Sequence, residues 1–287
     1  MTAVSDTVFF SHAEIDAWIA EDAGLLDLTT HLLGVGARPA AICFRLRQDG
    51  VAAGTEQAAR VLAHCGARAE VLQPSGQRVA AGSALLMAEG PGGAVLRGWK
   101  VAQNLLEYAC GVADATARMV DAVQQAAPGV AVLTTRKHPP GLRKLALTAT
   151  LAGGALPHRL GVGETILVFD QHRALLSDWP ALASRLQALQ GAVAEKTLVV
   201  EAHDLQEAQQ AIAAGAQVVQ FDKATPQALT SWCAELRARH PRIGLLAAGG
   251  IRLANAAAYA ASGVDALVTS SLHHAPPADV GVSVQPG

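Results

Sequence analysis

Thr197-Leu198-Val199-Val200-Glu201 and Gln217-Val218-Val219-Gln220-Phe221-Asp222 decide how the chain folds. Each is a short apolar run closed by an acid, and Leu205–Ala214 between them has helical spacing. Short apolar runs separated by helices mark parallel strands covered by helices. The rhythm extends outward to Val130–Thr134, Thr165–Phe169, Ile243–Ala247 and Asp265–Thr269, with a further helical stretch at Pro226–Arg239. Six such units in about 140 residues predict an α/β barrel or part of one. A doubly wound open sheet competes, and periodicity alone does not separate the two. The barrel is favoured.

Before residue 114 the style differs. Ser11-His12-Ala13-Glu14 fits a capping box opening a helix that carries Ile15, Trp18 and Ile19. Strands are predicted around Ala41–Arg47, Ala69–Gln73 and Ala84–Ala88, divided by glycine-rich turns, and a helix over Leu96–Cys110. Strands and helices mixed in this way make an α+β domain. The expected organisation is therefore an N-terminal domain over 1–113 and a barrel over 114–271, with a tail at 272–287 that packs back on the first.

Composition narrows the function. The 287 residues hold 22 Lys plus Arg against 24 Asp plus Glu, a net charge of −2, which argues against a nucleic-acid binder. Aromatic residues at 4% make a base-stacking platform improbable. An apolar share of 51% with 16% charged residues supports a large core and some surface buried between subunits. No run is long enough to span a bilayer, and Met1–Phe10 lacks Lys, Arg and an apolar signal core, so no leader is expected. Cys43, Cys65, Cys110 and Cys233 form no C-x-x-C pair, so reduced thiols and a cytoplasmic location are expected.

In a barrel, chemistry sits where the strands end. Here the closing residues are Arg136-Lys137, Asp170, Glu201, Asp222, Ala248-Gly249-Gly250 and Ser270-Ser271. Glu201 and Asp222 suit Mg²⁺ carrying a polyphosphate, or sugar hydroxyls; helix capping is the ordinary alternative for each. Gly249-Gly250 permits close backbone approach to a phosphate, and Ser270-Ser271 adds hydroxyl and amide donors where barrels often hold one. Arg136, Lys137, His158 and Arg159 form a cationic group able to clamp a carboxylate or phosphate, against the alternative of a solvated loop. His172 is a marginal candidate. His12, His31, His64, His203 and His240 read as capping or surface residues, and no zinc-hydrolase pattern exists.

These residues resemble the quinolinate phosphoribosyltransferase (nicotinate-nucleotide pyrophosphorylase) family, and within it the ModD-like subgroup associated with molybdenum-transport genes. Glu21-Asp22-Ala23-Gly24-Leu25-Leu26-Asp27-Leu28-Thr29-Thr30 is similar to the family's E-D-x-G-x-G-D-x-T-T signature, with Leu26 for the second glycine. Thr135-Arg136-Lys137 with Pro140-Gly141-Leu142-Arg143 resembles its T-R-K-x-x-P-G-x-R motif. Gly153-Gly154, His158-Arg159, Glu201, Asp222 and Gly249-Gly250 follow in family order.

The resemblance implies an N-terminal α/β sandwich and an incomplete, open α/β barrel, assembled as a homodimer with active sites at the subunit interface. It implies transfer of phosphoribosyl from 5-phosphoribosyl-1-pyrophosphate to quinolinate or a related aromatic acid, with Mg²⁺, releasing pyrophosphate and CO₂. By position, Thr135, Arg136, His158 and Arg159 would bind the acid, and Lys137 would sit between acid and donor. Glu201 and Asp222 would hold ribose hydroxyls and Mg²⁺. Ala248, Gly249, Gly250, Ser270 and Ser271 would take the 5-phosphate. Neither nucleic acid nor membrane is an expected partner.

Besides Leu26, four positions depart from the family pattern: Lys100 replaces Arg, Phe169 replaces Lys, Ala248 replaces Ser and Ser270 replaces Gly. The donor side looks intact and the acceptor side altered. A different acceptor tied to molybdenum metabolism, and a sensor that binds a phosphorylated ligand without turnover, are the alternatives.

Overall fold

Ile42, Phe44 and Leu46 alternate along strand β1 (Pro39–Leu46) and are all buried. A two-residue period with one face in the core suits an antiparallel sheet. β1 pairs antiparallel with β5 (Ala84–Pro91) and β13 (Val280–Pro286), and β3 (Arg68–Val71) joins β5, giving the order β13-β1-β5-β3. A two-stranded ribbon of β2 (Gly50–Val51) and β4 (Arg78–Val79) accompanies it. The computed structural model describes residues 7–189 and 191–287. Residues 1–6, where the absence of a leader was expected, lie outside these.

Helices α1 (His12–Ala23), α2 (Leu28–Leu33), α3 (Thr55–His64), α4 (Gly92–Ala126) and α5 (Arg143–Ala152) follow from capping and amphipathic spacing. The capping box at Ser11 forms: its Oγ accepts from the Glu14 N–H while Glu14 accepts from the Ser11 N–H. α4 runs 35 residues through Gly111, where the sequence suggested an end near Cys110. A Cβ at 111 would stand 2.3 Å from the Pro276 carbonyl oxygen. Gly111 therefore admits the returning tail and does not end the helix. Most of these elements form one compact unit, the chain up to Ala117 with His138–Gly154 and His273–Gly287.

The second unit, Arg118–Lys137 with Ala155–Leu272, holds a parallel sheet. Its strands are β6 (Ala131–Thr134), β7 (Leu156–Pro157), β8 (Ile166–Val168), β9 (Leu198–Ala202), β10 (Val218–Asp222), β11 (Gly244–Ala248) and β12 (Ala266–Thr269). They lie in the order β7-β6-β12-β11-β10-β9-β8. Strands β8 to β12 are neighbours in chain order with no reversal, as in a barrel and unlike a doubly wound sheet. With β7 and β8 at its two edges, the curled sheet is an open half-barrel. All six runs read as strands are strands; β7 was not predicted. Helices α6 (Asp170–Arg173), α7 (Trp179–Leu189), α8 (Leu205–Ala213), α9 (Pro226–Arg239) and α10 (Leu253–Ala260) intervene. Among the described residues, no helix is long and apolar enough to cross a membrane.

Candidate active site at the half-barrel strand ends

Strand parity places the site's side chains on one face of the sheet. On β10, Val219 and Phe221 share one face, and the Phe221 ring lies 5.4 Å from Trp232 of α9. Val218, Gln220 and Asp222 therefore share the face away from that helix. Glu201 is in register with Gln220, Asp222 with Ala248, Ala248 with Val268, and Val268 with Leu133. Continuing the same parity one step past β6 and β12 brings Thr135 and Ser270 to this face, while after Ala248 the chain turns away from extended geometry at Gly249 and Gly250. Phe169 follows Val168 in register as Glu201 follows Val200. One sheet face thus carries both predicted acids, Phe169, Thr135 and, of the predicted phosphate residues, Ala248 and Ser270.

Glu201 is 9% exposed, and its Oε2 accepts a hydrogen bond from Gln220 Nε2 at 3.2 Å. Burial, and then the nearby charge of Asp222, push its carboxyl above the usual carboxylate range. Capping is done by other residues: Asp204 accepts from the Glu207 N–H at the start of α8, and Thr225 accepts from the Ala228 N–H at the start of α9. Asp222 has one nearby cation, Lys223 Nζ at 3.6 Å, which is 80% exposed.

Gly249 closes on that acid. Its φ is +84°, and a Cβ there would lie 2.6 Å from Asp222 Oδ1 and 2.7 Å from the Lys223 nitrogen. Gly250, at φ +73°, would meet nothing within 4 Å, so the backbone beside it is open to a ligand. Thr269 Oγ1 donates to the Ile251 carbonyl and accepts from both the hydroxyl and the N–H of Ser271. Ser271 is thus tied into its own turn, while Ser270 takes no part in these bonds.

The cations gather beside β6, β7 and β8. Thr135 Oγ1 accepts from the Lys137 N–H at 3.1 Å, fixing the loop that exposes Arg136 and Lys137. The His158 N–H donates to the Thr134 carbonyl at 2.9 Å. Burial, then the Arg159 charge, hold the His158 imidazole below its ordinary value, which favours its neutral form. Burial also lowers Arg159, as does Arg136, which places two guanidinium groups near each other. Arg159 lies over the Phe169 ring, 5.7 Å from its centroid. His172 stacks on Phe169 with its ring 5.8 Å away, and its Nδ1 accepts from the Phe169 N–H, a local cap.

Several participants escaped the sequence reading. His203, read as a surface or capping residue, contacts Asp170 Oδ2 through Nε2 at 2.5 Å. That bond chiefly raises the His203 imidazole. Burial pushes Asp170 up, but its bonds to His203 and Arg173 outweigh this and hold it down. Ligand atoms of Asp170, Glu201 and His203 lie within 4.8 Å of one another. Their signal was parity: His203 lies two residues beyond Glu201, and Gln220 is the lone polar side chain between Val218 and Asp222 on one face. Lys100 belongs to the other unit, where its Nζ donates to Gln103 Oε1 and lies 4.6 Å from the Trp99 ring centroid. That unit also holds an open cavity of about 400 Å³ lined by Leu26, Thr29, Arg97, Trp99 and Lys100.

Burial, and then the neighbouring charges of Asp222 and Asp170, raise the Glu201 carboxyl, and hard oxygen donors gathered in this way fit a divalent cation. The residues present are therefore compatible with Mg²⁺.

Residues 112–283 match the family described as quinolinate phosphoribosyl transferase, C-terminal domain, and residues 27–110 match its N-terminal domain. The ModD protein of Pasteurella multocida is 37% identical over 281 residues, covering 97% of this chain and 99% of its own. Human nicotinate-nucleotide pyrophosphorylase (carboxylating) is 31% identical over 266 residues, covering 93% of this chain and 88% of its own. The solved structure of the Francisella tularensis nicotinate-nucleotide pyrophosphorylase shares the fold, with a TM-score of 0.85 at 22% identity, covering 96% of this chain and 98% of that one.

Proposed function

The chain belongs to the quinolinate phosphoribosyltransferase family and is a pentosyltransferase; from that premise we propose that it transfers phosphoribosyl from 5-phosphoribosyl-1-pyrophosphate to an aromatic acid. The observation that carries this is the buried Glu201 beside Asp222 on one sheet face, with Gly249 closing on Asp222. As the bond from C1 of the sugar to pyrophosphate breaks, positive charge grows at C1, and the two carboxylates stabilise it. The ring nitrogen of the acid then forms the new bond. Arg136, His158 and Arg159 hold the acid, with Thr135 shaping their loop, and Lys137 neutralises the leaving group. Gly249, Gly250 and Ser270, flanked by Ala248 and Ser271, receive the 5-phosphate. Bound Mg²⁺, held by Glu201 and Asp222, would supply further charge neutralisation for pyrophosphate. If quinolinate is the acid, loss of CO₂ leaves an electron pair that the quaternised nitrogen absorbs before the carbon takes a proton. Glu201→Gln and Asp222→Asn are each expected to lower pyrophosphate release by about a hundredfold or more; rates within threefold of wild type would refute the assignment.

Phe169 favours an acceptor with fewer carboxylates. An aromatic face under Arg159 offers one cation and a stacking surface, where a dianion needs several cations. Phe169→Lys is therefore expected to tighten quinolinate binding by about tenfold or more, read by calorimetry. No gain would count against specificity being set there.

The homodimer draws support from Leu25, Leu26, Leu32 and Leu33, exposed at 67% or more around α2. Sedimentation of a dimer mass is the expected result, and a monomer at micromolar concentration would oppose it.

A further inference from the structure

We propose that Gln220 is a positioning residue that holds the Glu201 carboxylate in its working orientation, an inference that rests on the role given to Glu201 above. Gln220 is 4% exposed and sits on β10 directly in register with Glu201 on β9. Its Nε2 donates to Glu201 Oε2 at 3.2 Å, and its Oε1 is buried with no hydrogen-bond partner. The surroundings do not call for an amide. Val218 shares its face and Leu246 is its register partner on the other side, both belonging to an apolar cluster with Ala248, Ala266 and Val268.

A buried amide with one end unsatisfied is less stable than a hydrophobic side chain of equal volume. Methionine would fill the same space without an orphaned oxygen. The stability of the sheet therefore does not explain Gln220. Its bond to Glu201 does. The amide orientation follows as well, because the reverse would aim its oxygen at a carboxylate. With this donor in place the carboxylate is held to one direction on a face where burial and Asp222 oppose its ionisation.

The test compares Gln220→Met and Gln220→Glu in the intact chain. Gln220→Met is expected to keep or raise the melting temperature while lowering kcat about ten- to a hundredfold, with KM for 5-phosphoribosyl-1-pyrophosphate nearly unchanged. Gln220→Glu, which keeps the shape and removes the donor, is expected to lose at least as much. In a Glu201→Gln background, Gln220→Met should change the residual rate less than twofold, because the two act as one unit. Full kcat in Gln220→Met, or losses that multiply across the two backgrounds, would overturn the assignment. A crystal structure of Gln220→Met gives a readout independent of turnover. Glu201 is expected in a shifted or divided orientation there, and an unmoved carboxylate would overturn the proposal even for a chain without transferase activity. An inactive wild type with a displaced Glu201 in that variant would instead refute the transferase function alone.

Discussion

The two units bury different things. In the unit built on β1, β5 and β13 the core is apolar, with Phe44, Leu62, Leu85, Leu86, Leu106 and Leu145 at 1% exposure or less, and the polar side chains it does bury, such as Gln57 and Thr55, carry no carboxylate. None of its described acids is buried, and Glu14 is paired with Lys144 Nζ at 2.7 Å. The half-barrel buries an acid and an amide side by side on one sheet face. Among the described residues, Glu201 is the buried carboxylate. A fold optimised for stability alone would not place it there, because a buried carboxylate costs several kcal/mol when unpaired. One unit is built to pack, while the other gives up stability at the place where chemistry is proposed.

The comparison breaks or sharpens at three positions. The largest effect is expected from Leu106→Ala in the first unit, about 2–5 kcal/mol of stability lost in urea unfolding. In protein that remains folded, substrate turnover should be close to wild type. A loss under 1 kcal/mol would show that this core is looser than its burial suggests. Next comes Gly249→Ala, expected to cost about 1–3 kcal/mol through the left-handed φ and the clash with Asp222, and to impair activity as well. Unchanged activity would detach the glycine from the site.

The smallest effect, and the most telling in sign, belongs to Glu201→Gln. The Glu201 carboxyl is raised in the folded chain, so its protonated form is the one the fold favours. Its contribution to stability is therefore present below the ordinary carboxylate pKa and is lost as pH rises through the raised value. Glu201→Gln should accordingly melt higher than wild type at pH 7, with the advantage shrinking at acid pH. A lower melting temperature at pH 7 would mean that Glu201 is structural.

Much of this was legible in the sequence, for identifiable reasons. Strands buried on both faces, such as Val218–Phe221 and Leu245–Ala247, declare themselves as apolar runs, and their closing acids follow at once. β7 did not, because two residues, Leu156 and Pro157, make no run. β13 was obscured by the preceding Pro276-Pro277, although Val280, Val282 and Val284 alternate as an antiparallel strand should. Gly111 disguised the length of α4, since its reason is a tail segment distant in sequence. Within the site, Glu201 and Asp222 were found because they end runs. Gln220 was passed over because it lies inside one, and His203 because its partner Asp170 is 33 positions away. Long-range pairs of this kind follow from sheet register, which composition does not reveal.

The most direct test of the transferase function is acceptor-dependent chemistry itself. Purified protein is given 5-phosphoribosyl-1-pyrophosphate and Mg²⁺ with and without quinolinate, pyrophosphate is followed, and the product is weighed by mass spectrometry. Pyrophosphate release that requires an aromatic acid, with a product carrying the added phosphoribosyl mass, is the predicted result. Tight donor binding with no pyrophosphate release, for quinolinate and for aromatic monocarboxylates alike, would contradict it and leave a phospho-ligand sensor in its place.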